Sequence, residues 1–365
     1  TGTNNTIVGG LAGDALTTGS NNVAVGFEAL STEDGHGGNV AVGYRALKVQ
    51  NAGATAYNVA VGRDAGLSVS TGTKNTLIGG FAGDALTTGG ENVAVGYAAL
   101  TLEDGHGGNV AIGNEALENQ NAGADALNTA VGYRAGKQVS TGVKNVIVGG
   151  LAGDSLTTAT ENTIVGYEAL SDATTCNYNT VLGTQAMKVG QNANRNTAIG
   201  FQALYNITQG SALDTYNVAV GYAAGGQITT GTTANVALGY GALSAEDEHG
   251  HNIAIGYHAL VAQNAGSNAY NTAIGSSAGS SISTGIQNTL IGGQSGDALT
   301  TGIQNVAIGY KALSAEDTGN RNVAVGYGAL ENQDSDTSNY NVAECYNRYT
   351  KYINRRFSWG CSYYW

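Results

Sequence analysis

A five-residue phrase, Asn followed by three aliphatic or Thr residues and then Gly, recurs along the chain and constrains its fold more than any other feature. It stands as Asn5-Thr6-Ile7-Val8-Gly9 and as Asn22-Val23-Ala24-Val25-Gly26. It returns at Asn39, Asn58, Asn75, Asn92 and onward to Asn322, and breaks at Asn341. Neighbouring copies are mostly 17 residues apart, with occasional steps of 18 and 19 and one of 21. Asn5, Asn75 and Asn145 lie 70 apart, so four rungs make a super-repeat in which the longer rungs keep fixed places. An aromatic residue often follows the Gly (Phe27, Tyr44, Tyr97), and Ala-Leu or Ala-Gly comes soon after, as in Ala29-Leu30 and Ala65-Gly66. Gly, Ser, Thr, Asn and Asp fill the rest, which is turn chemistry.

Three aliphatic residues closed by Gly are too few for a helix, and β-branched side chains suit a pleated strand. One such strand cannot bury its own face, so only a pile of equivalent rungs makes a core. The sequence therefore predicts an all-β fold: a β-solenoid, or parallel β-roll, of about twenty rungs of 17–19 residues, as a single array over residues 1–343. With strands about 4.8 Å apart, the array is expected to be a narrow rod roughly 95 Å long. Each Asn should stack on an Asn, with side-chain amides pairing up the stack as in cross-β assemblies. The chain has no Pro, as internal strands that need every N–H require.

Both parities of the strand are apolar: Val23 and Val25 point one way and Ala24 the other. A strand apolar on both faces is buried on both. One face is assigned to the coil's own core and the other to further chains. The smallness of Ala suggests close approach, so Ala24, Ala41, Ala60, Ala94 and Ala111 are expected at an interface between copies.

Composition narrows the partners. A formal net charge of −12, with only 15 Lys and Arg, repels nucleic acid and anionic membrane. No apolar run approaches the eighteen or so residues that insert in a bilayer. Three Cys, two of them in the tail, make neither a disulfide framework nor a metal knuckle. The chain starts inside the repeat without a leader, and reads as a piece of a longer or processed protein.

The phrases Asn-Val-Ala-Val-Gly and Asn-Ile-Ala-Ile-Gly resemble the head repeats of trimeric autotransporter adhesins. They are equally similar to the Asn-Thr-Ala-Val-Gly-Tyr-x-Ala-Leu arrays of phage tail-fibre proteins. The resemblance covers residues 1–343. It implies a left-handed parallel β-roll, assembled as a homotrimer, that serves as a shaft or adhesive head. It places the chain outside the cell, on a virion tail fibre or a bacterial surface, with a cell-surface glycan or protein receptor as partner. The rungs are longer than the adhesin pattern, and no coiled-coil stalk, anchor or chaperone domain accompanies them. On this reading the aromatic column, with Tyr44, Tyr97, Tyr133, Tyr257 and Tyr310, is the candidate receptor surface, offering ring faces to sugars. The same rings could instead pack on the turn of the neighbouring rung. Weak repeated sites would gain affinity through avidity. The alternative is a monomeric solenoid with a ligand-binding or ice-binding face, for which the Thr17-Thr18 and Thr87-Thr88 turns recur only once per super-repeat.

No catalytic site, cofactor site or metal site is expected. Acidic turns recur at Glu33-Asp34-Gly35-His36, Glu103-Asp104, Glu246-Asp247 with His249, and Glu316-Asp317. Oxygen clusters of this kind suit a weak divalent-cation site, but they read as solvated turns that keep an apolar stack soluble. Gly132 to Lys137 falls one residue short of a phosphate loop and lacks the Ser or Thr after Lys. No nucleophile and base recur together.

Residues 344–365 break the pattern. Back-translation of Asn347 to Trp365, read one nucleotide later, permits a sequence that matches Thr284 to Gly302 at sixteen of nineteen positions. The tail thus reads as a repeat in the wrong frame, and Arg355, Arg356 and Trp359 carry no functional weight.

Overall fold

Each Asn phrase becomes a three-residue strand, and the Gly that closes it turns the chain away. The structure is a computed structural model that describes residues 2–209, 211, 213–229, 233–247, 249–334 and 340–344. The tail after Glu344, with its frame-shifted reading, lies outside the described residues. The chain forms two compact units, Thr1–Asn179 and Thr180–Trp365.

In the first unit ten strands, from Thr6–Val8 and Val23–Val25 to Thr163–Val165, pair in parallel, each with the next. The register is like beside like: Val40 with Val59, Ala41 with Ala60, Val42 with Val61. The second unit holds ten strands in the same register, from Thr180–Leu182 to Val342–Glu344. A two-residue pair, Ala193–Asn194 beside Leu213–Asp214, is added where the longest step falls. Both units are turns of a parallel β-solenoid, with no helix among the described residues.

The corners are made by left-handed residues. In the rung of Asn22 these are Asn21, Glu28 and Leu30, with φ of 62°, 52° and 53°. Such a conformation costs a bulky residue about 1–2 kcal/mol, which the stacking of each corner on the next must offset. The strand-closing Gly cannot be replaced so cheaply. A Cβ on Gly96, at φ +142°, would lie 2.2 Å from the carbonyl oxygen of Gly113 in the next rung.

The Asn ladder forms, but with a different bonding pattern from the expected one. Each Asn Oδ1 accepts the backbone N–H of the next rung's Asn, at 2.8–3.1 Å through the first unit. The Nδ2 of Asn75 donates to the carbonyl of Gly89, in the corner just before the next rung's Asn, at 2.9 Å. Direct amide-to-amide bonds join Asn145 to Asn128, Asn162 to Asn145 and Asn179 to Asn162. The carboxamide mainly serves backbone groups that the corners leave without partners, since buried main-chain groups must be paired.

Only the middle residue of each strand points inward. Ala24, Ala41, Ala60, Ala94 and Ala111 are fully buried within their own coil, which overturns their assignment to an interface between chains. Pleating sends alternate side chains to opposite faces. The interior of so narrow a coil takes the small column, and the bulkier Val and Ile go outside.

Volume is shared among three inward positions: the strand centre and the residues eight and eleven after the Asn. Successive rungs contribute Ala24, Leu30 and Glu33; Ala41, Leu47 and Gln50; Ala60, Gly66 and Val69; then Leu77, Gly83 and Leu86. A Cβ on Gly83 would meet Leu77 Cδ2 at 2.8 Å. A close-packed interior forces these positions to vary together. The cycle of core sizes, Leu77-Gly83-Leu86 returning as Ile147-Gly153-Leu156, accounts for the 70-residue super-repeat.

Candidate functional site

The outward face of the strands is the first surface of interest. The third strand residue is Val, Ile or Leu in every rung up to Val325, and Glu344 then takes that place. Ile78 is 39% exposed and Leu238 42%. The first strand residue is Thr in some rungs and Val or Ile in the others. Ten such rungs in the first unit and nine in the second, at about 4.8 Å each, give stripes roughly 40–45 Å long, with their two columns about 7 Å apart. A stripe of that size reaches the few hundred Å² at which an exposed apolar patch signals a partner.

The aromatic corner is the second. Tyr44, Tyr97, Tyr133, Tyr257 and Tyr310 are all exposed, and each also packs on a neighbour. Tyr44 stacks on Phe27 at 5.7 Å, Tyr310 on Tyr327 at 5.5 Å, and Tyr257 on Tyr240 at 5.4 Å. Tyr97 meets Phe81 edge-on, and Arg134 lies over Tyr133 at 5.1 Å. The longest run, Phe201–Tyr222–Tyr240–Tyr257, has centroid spacings of 5.2, 4.9 and 5.4 Å. Because rungs repeat at nearly the spacing of stacked rings, faces are covered within such a run. Edges and hydroxyls are what it presents to solvent.

The acidic turns are the third, and here the expectation of a solvated turn fails for its leading residue. Glu33, Glu103, Glu246 and Glu316 are fully buried. Each stands eleven residues after an Asn, in the core column that elsewhere holds Leu16, Val69 and Leu86. Glu33 Oε1 accepts the N–H of His36 at 2.9 Å, and Glu103 Oε1 that of His106 at 3.1 Å. Burial pushes the carboxyl of Glu103 upward and that of Glu246 up to about 7. The next rung in each case puts Gln in the same column: Gln50, Gln120, Gln263 and Gln333. These polar core residues were missed in the sequence because they sit in what looks like turn text. Their offset from Asn was the available signal.

The remaining motifs acquire plain roles. Lys137, at the end of the phosphate-loop look-alike, pairs with Glu115 at 2.5 Å and Glu118 at 3.0 Å. Cys176 is buried, and burial pushes its thiol up to about 12, far from a reactive thiolate. Among the described residues no helix is long and apolar enough to cross a membrane. Comparison with protein-family models, curated proteins and solved structures finds no match to the chain.

Proposed function

We propose that the chain is a structural and adhesive segment of an extracellular fibre, in which three copies pack together through their outward aliphatic stripes and leave the aromatic corner free for a receptor. The observation that carries this reading is the Val, Ile and Leu column, unbroken up to Val325 and half-buried to exposed, on a coil whose own core is already filled. Water contact along ten consecutive rungs is unfavourable by about 25 cal/mol per Å² of apolar surface, and a copy of the same column is the complement nearest to hand. The ring edges and hydroxyls of the Tyr corner are the candidate receptor contact, with a cell-surface glycan or protein as the partner class. Affinity comes from many equivalent weak contacts. The ice-binding alternative lacks support in the outward face, where the third column has no Thr and the first mixes Thr with Val.

Light scattering on the full chain tests the assembly. The expected mass is three times the 36.8 kDa of one chain. A variant carrying Val42→Asp, Ile78→Asp and Val95→Asp should keep its β-sheet circular dichroism and fall to the mass of a monomer, because these side chains lie outside the core. Ala24→Asp with Ala41→Asp should instead lose the part of the β signal that the first unit contributes. A wild-type monomer at tens of micromolar, or a mass unaltered in the Val42/Ile78/Val95 variant, would overturn the reading.

A further inference from the structure

The stretches Glu33-Asp34-Gly35-His36-Gly37-Gly38-Asn39 and Glu103-Asp104-Gly105-His106-Gly107-Gly108-Asn109 are identical and 70 residues apart. Both fold so that a buried carboxylate and an imidazole converge. Glu33 Oε2 and Glu103 Oε2 are buried without a hydrogen-bond partner, and so are His36 Nδ1 and His106 Nδ1. The imidazole Nδ1 lies 3.5 Å from Glu33 Oε1 in one turn and 3.4 Å from Glu103 Oε1 in the other. With the exposed Asp34 or Asp104, each turn holds three ligand atoms within 4.8 Å of one another. A cleft of about 330 Å³, lined by Thr18, His36, Thr55 and Tyr57 among others, opens beside the first turn.

The same column shows how the chain satisfies such a Glu when nothing else is needed. Asn252 Nδ2 donates to Glu246 Oε2 at 3.3 Å, and Gln333 Nε2 to Glu316 Oε2 at 3.2 Å. In the first unit Gln50 and Gln120 turn the corresponding Nε2 away, to the carbonyls of Ser70 and Ser140, and the counterparts of Asn252, Asn39 and Asn109, keep a buried and equally unpaired Nδ2. A buried carboxylate oxygen left without a donor is costly, and both Glu33 and Glu103 are left so beside an imidazole.

We infer that the Glu33–Asp34–His36 and Glu103–Asp104–His106 turns each bind one divalent transition-metal ion of the Zn²⁺ class, through Glu Oε2, an Asp carboxylate oxygen and His Nδ1, with water completing the sphere. Two carboxylates and a neutral imidazole balance a dication. One nitrogen with two oxygens suits Zn²⁺ or Co²⁺, whereas Ca²⁺ seeks six to eight oxygens. A tetrahedral ion spaces its ligands by about 3.4 Å. The three ligand atoms, within 4.8 Å of one another, must therefore draw closer together when an ion binds. The Glu316 turn has Gly319 where the others have His, and Glu246 Oε2 is already taken, so these two turns do not offer the same set.

The test uses the untagged full chain, titrated with Co²⁺ by visible absorption and with Zn²⁺ by equilibrium dialysis. Two ions per chain are expected at neutral pH, with at least a tenfold loss of affinity at pH 5, because protons compete with the metal for its ligands. His36→Gln should leave one ion and His36→Gln with His106→Gln none, at unchanged far-ultraviolet circular dichroism. His258→Gln, outside the turns, should leave both. Millimolar Ca²⁺ should not displace Co²⁺. Absence of saturable binding, or two ions retained by the double His variant, would overturn the assignment.

Discussion

Replacing Asn75 with Ala removes an acceptor and a donor together: the N–H of Asn92 and the carbonyl of Gly89 both lose their partner. A buried group left unpaired costs roughly 1–3 kcal/mol. Asn75→Ala is therefore expected to lower stability by about 2–5 kcal/mol, read as a fall in the urea midpoint. Lys74→Ala, one residue away in an exposed ion pair with Glu91, should leave that midpoint almost unmoved. Glu246 gives the chain a pH response. Its carboxyl is pushed by burial up to about 7 from an ordinary 4.5, so the folded state prefers it protonated. That stability is fully present below about pH 4.5 and is lost as the pH rises through about 7, a swing of about 3 kcal/mol at 1.4 kcal/mol per unit. Glu103, Asp84, Asp154 and Asp297 are raised by burial in the same direction. Urea midpoints should thus fall between pH 5 and pH 8, and Glu246→Gln should flatten the dependence, since Gln263 already occupies the same column one rung on. The burial of Glu246 was hard to read from sequence because Glu-Asp beside His and Gly has the composition of a solvated turn. Only its column, shared with Leu and Val, marks it as interior.

At the scale of a rung, inward volume is a joint property of three positions. Leu77→Ala alone leaves a cavity and should cost about 2–5 kcal/mol. Adding Gly83→Leu rebuilds the pattern of the following rung, Ala94 with Leu100. Leu100 already adopts φ 54°, close to the 55° of Gly83. The double variant is therefore expected to recover only the part of the loss in denaturant midpoint that Leu86, 2.8 Å from a Cβ on Gly83, leaves room for, whereas Gly83→Leu by itself would collide with Leu77 as well. The strand and its register were legible in the sequence, because Asn, three aliphatic residues and Gly leave little else to form. The direction of each strand residue was not. Val23, Ala24 and Val25 are all apolar, so polarity could not tell inside from outside, and the deciding quantity was the room inside a coil of 17 residues. The stacking of Tyr44 and Tyr257 on their neighbours has a related cause: the period of the rungs is also a stacking distance.

For the molecule as a whole, charge and surface follow from the repeat. Basic side chains pair with acids one rung away, as Arg45 does with Asp64, Lys48 with Glu28 and Arg134 with Glu115. The surplus of acid, −12 in all, remains to keep so apolar an outer face dispersed. A periodic sequence announces a stack but is silent about what covers its outer columns, so fold class was legible and assembly was not. The like-over-like register has a genetic consequence. Glu33 to Asn39 and Glu103 to Asn109 are the same seven residues in the first unit. A crossover between the corresponding stretches of gene would excise four coils and join two neighbours that already fit. Reach then becomes a matter of copy number, adjustable in whole coils by unequal exchange, with no new contact to be invented.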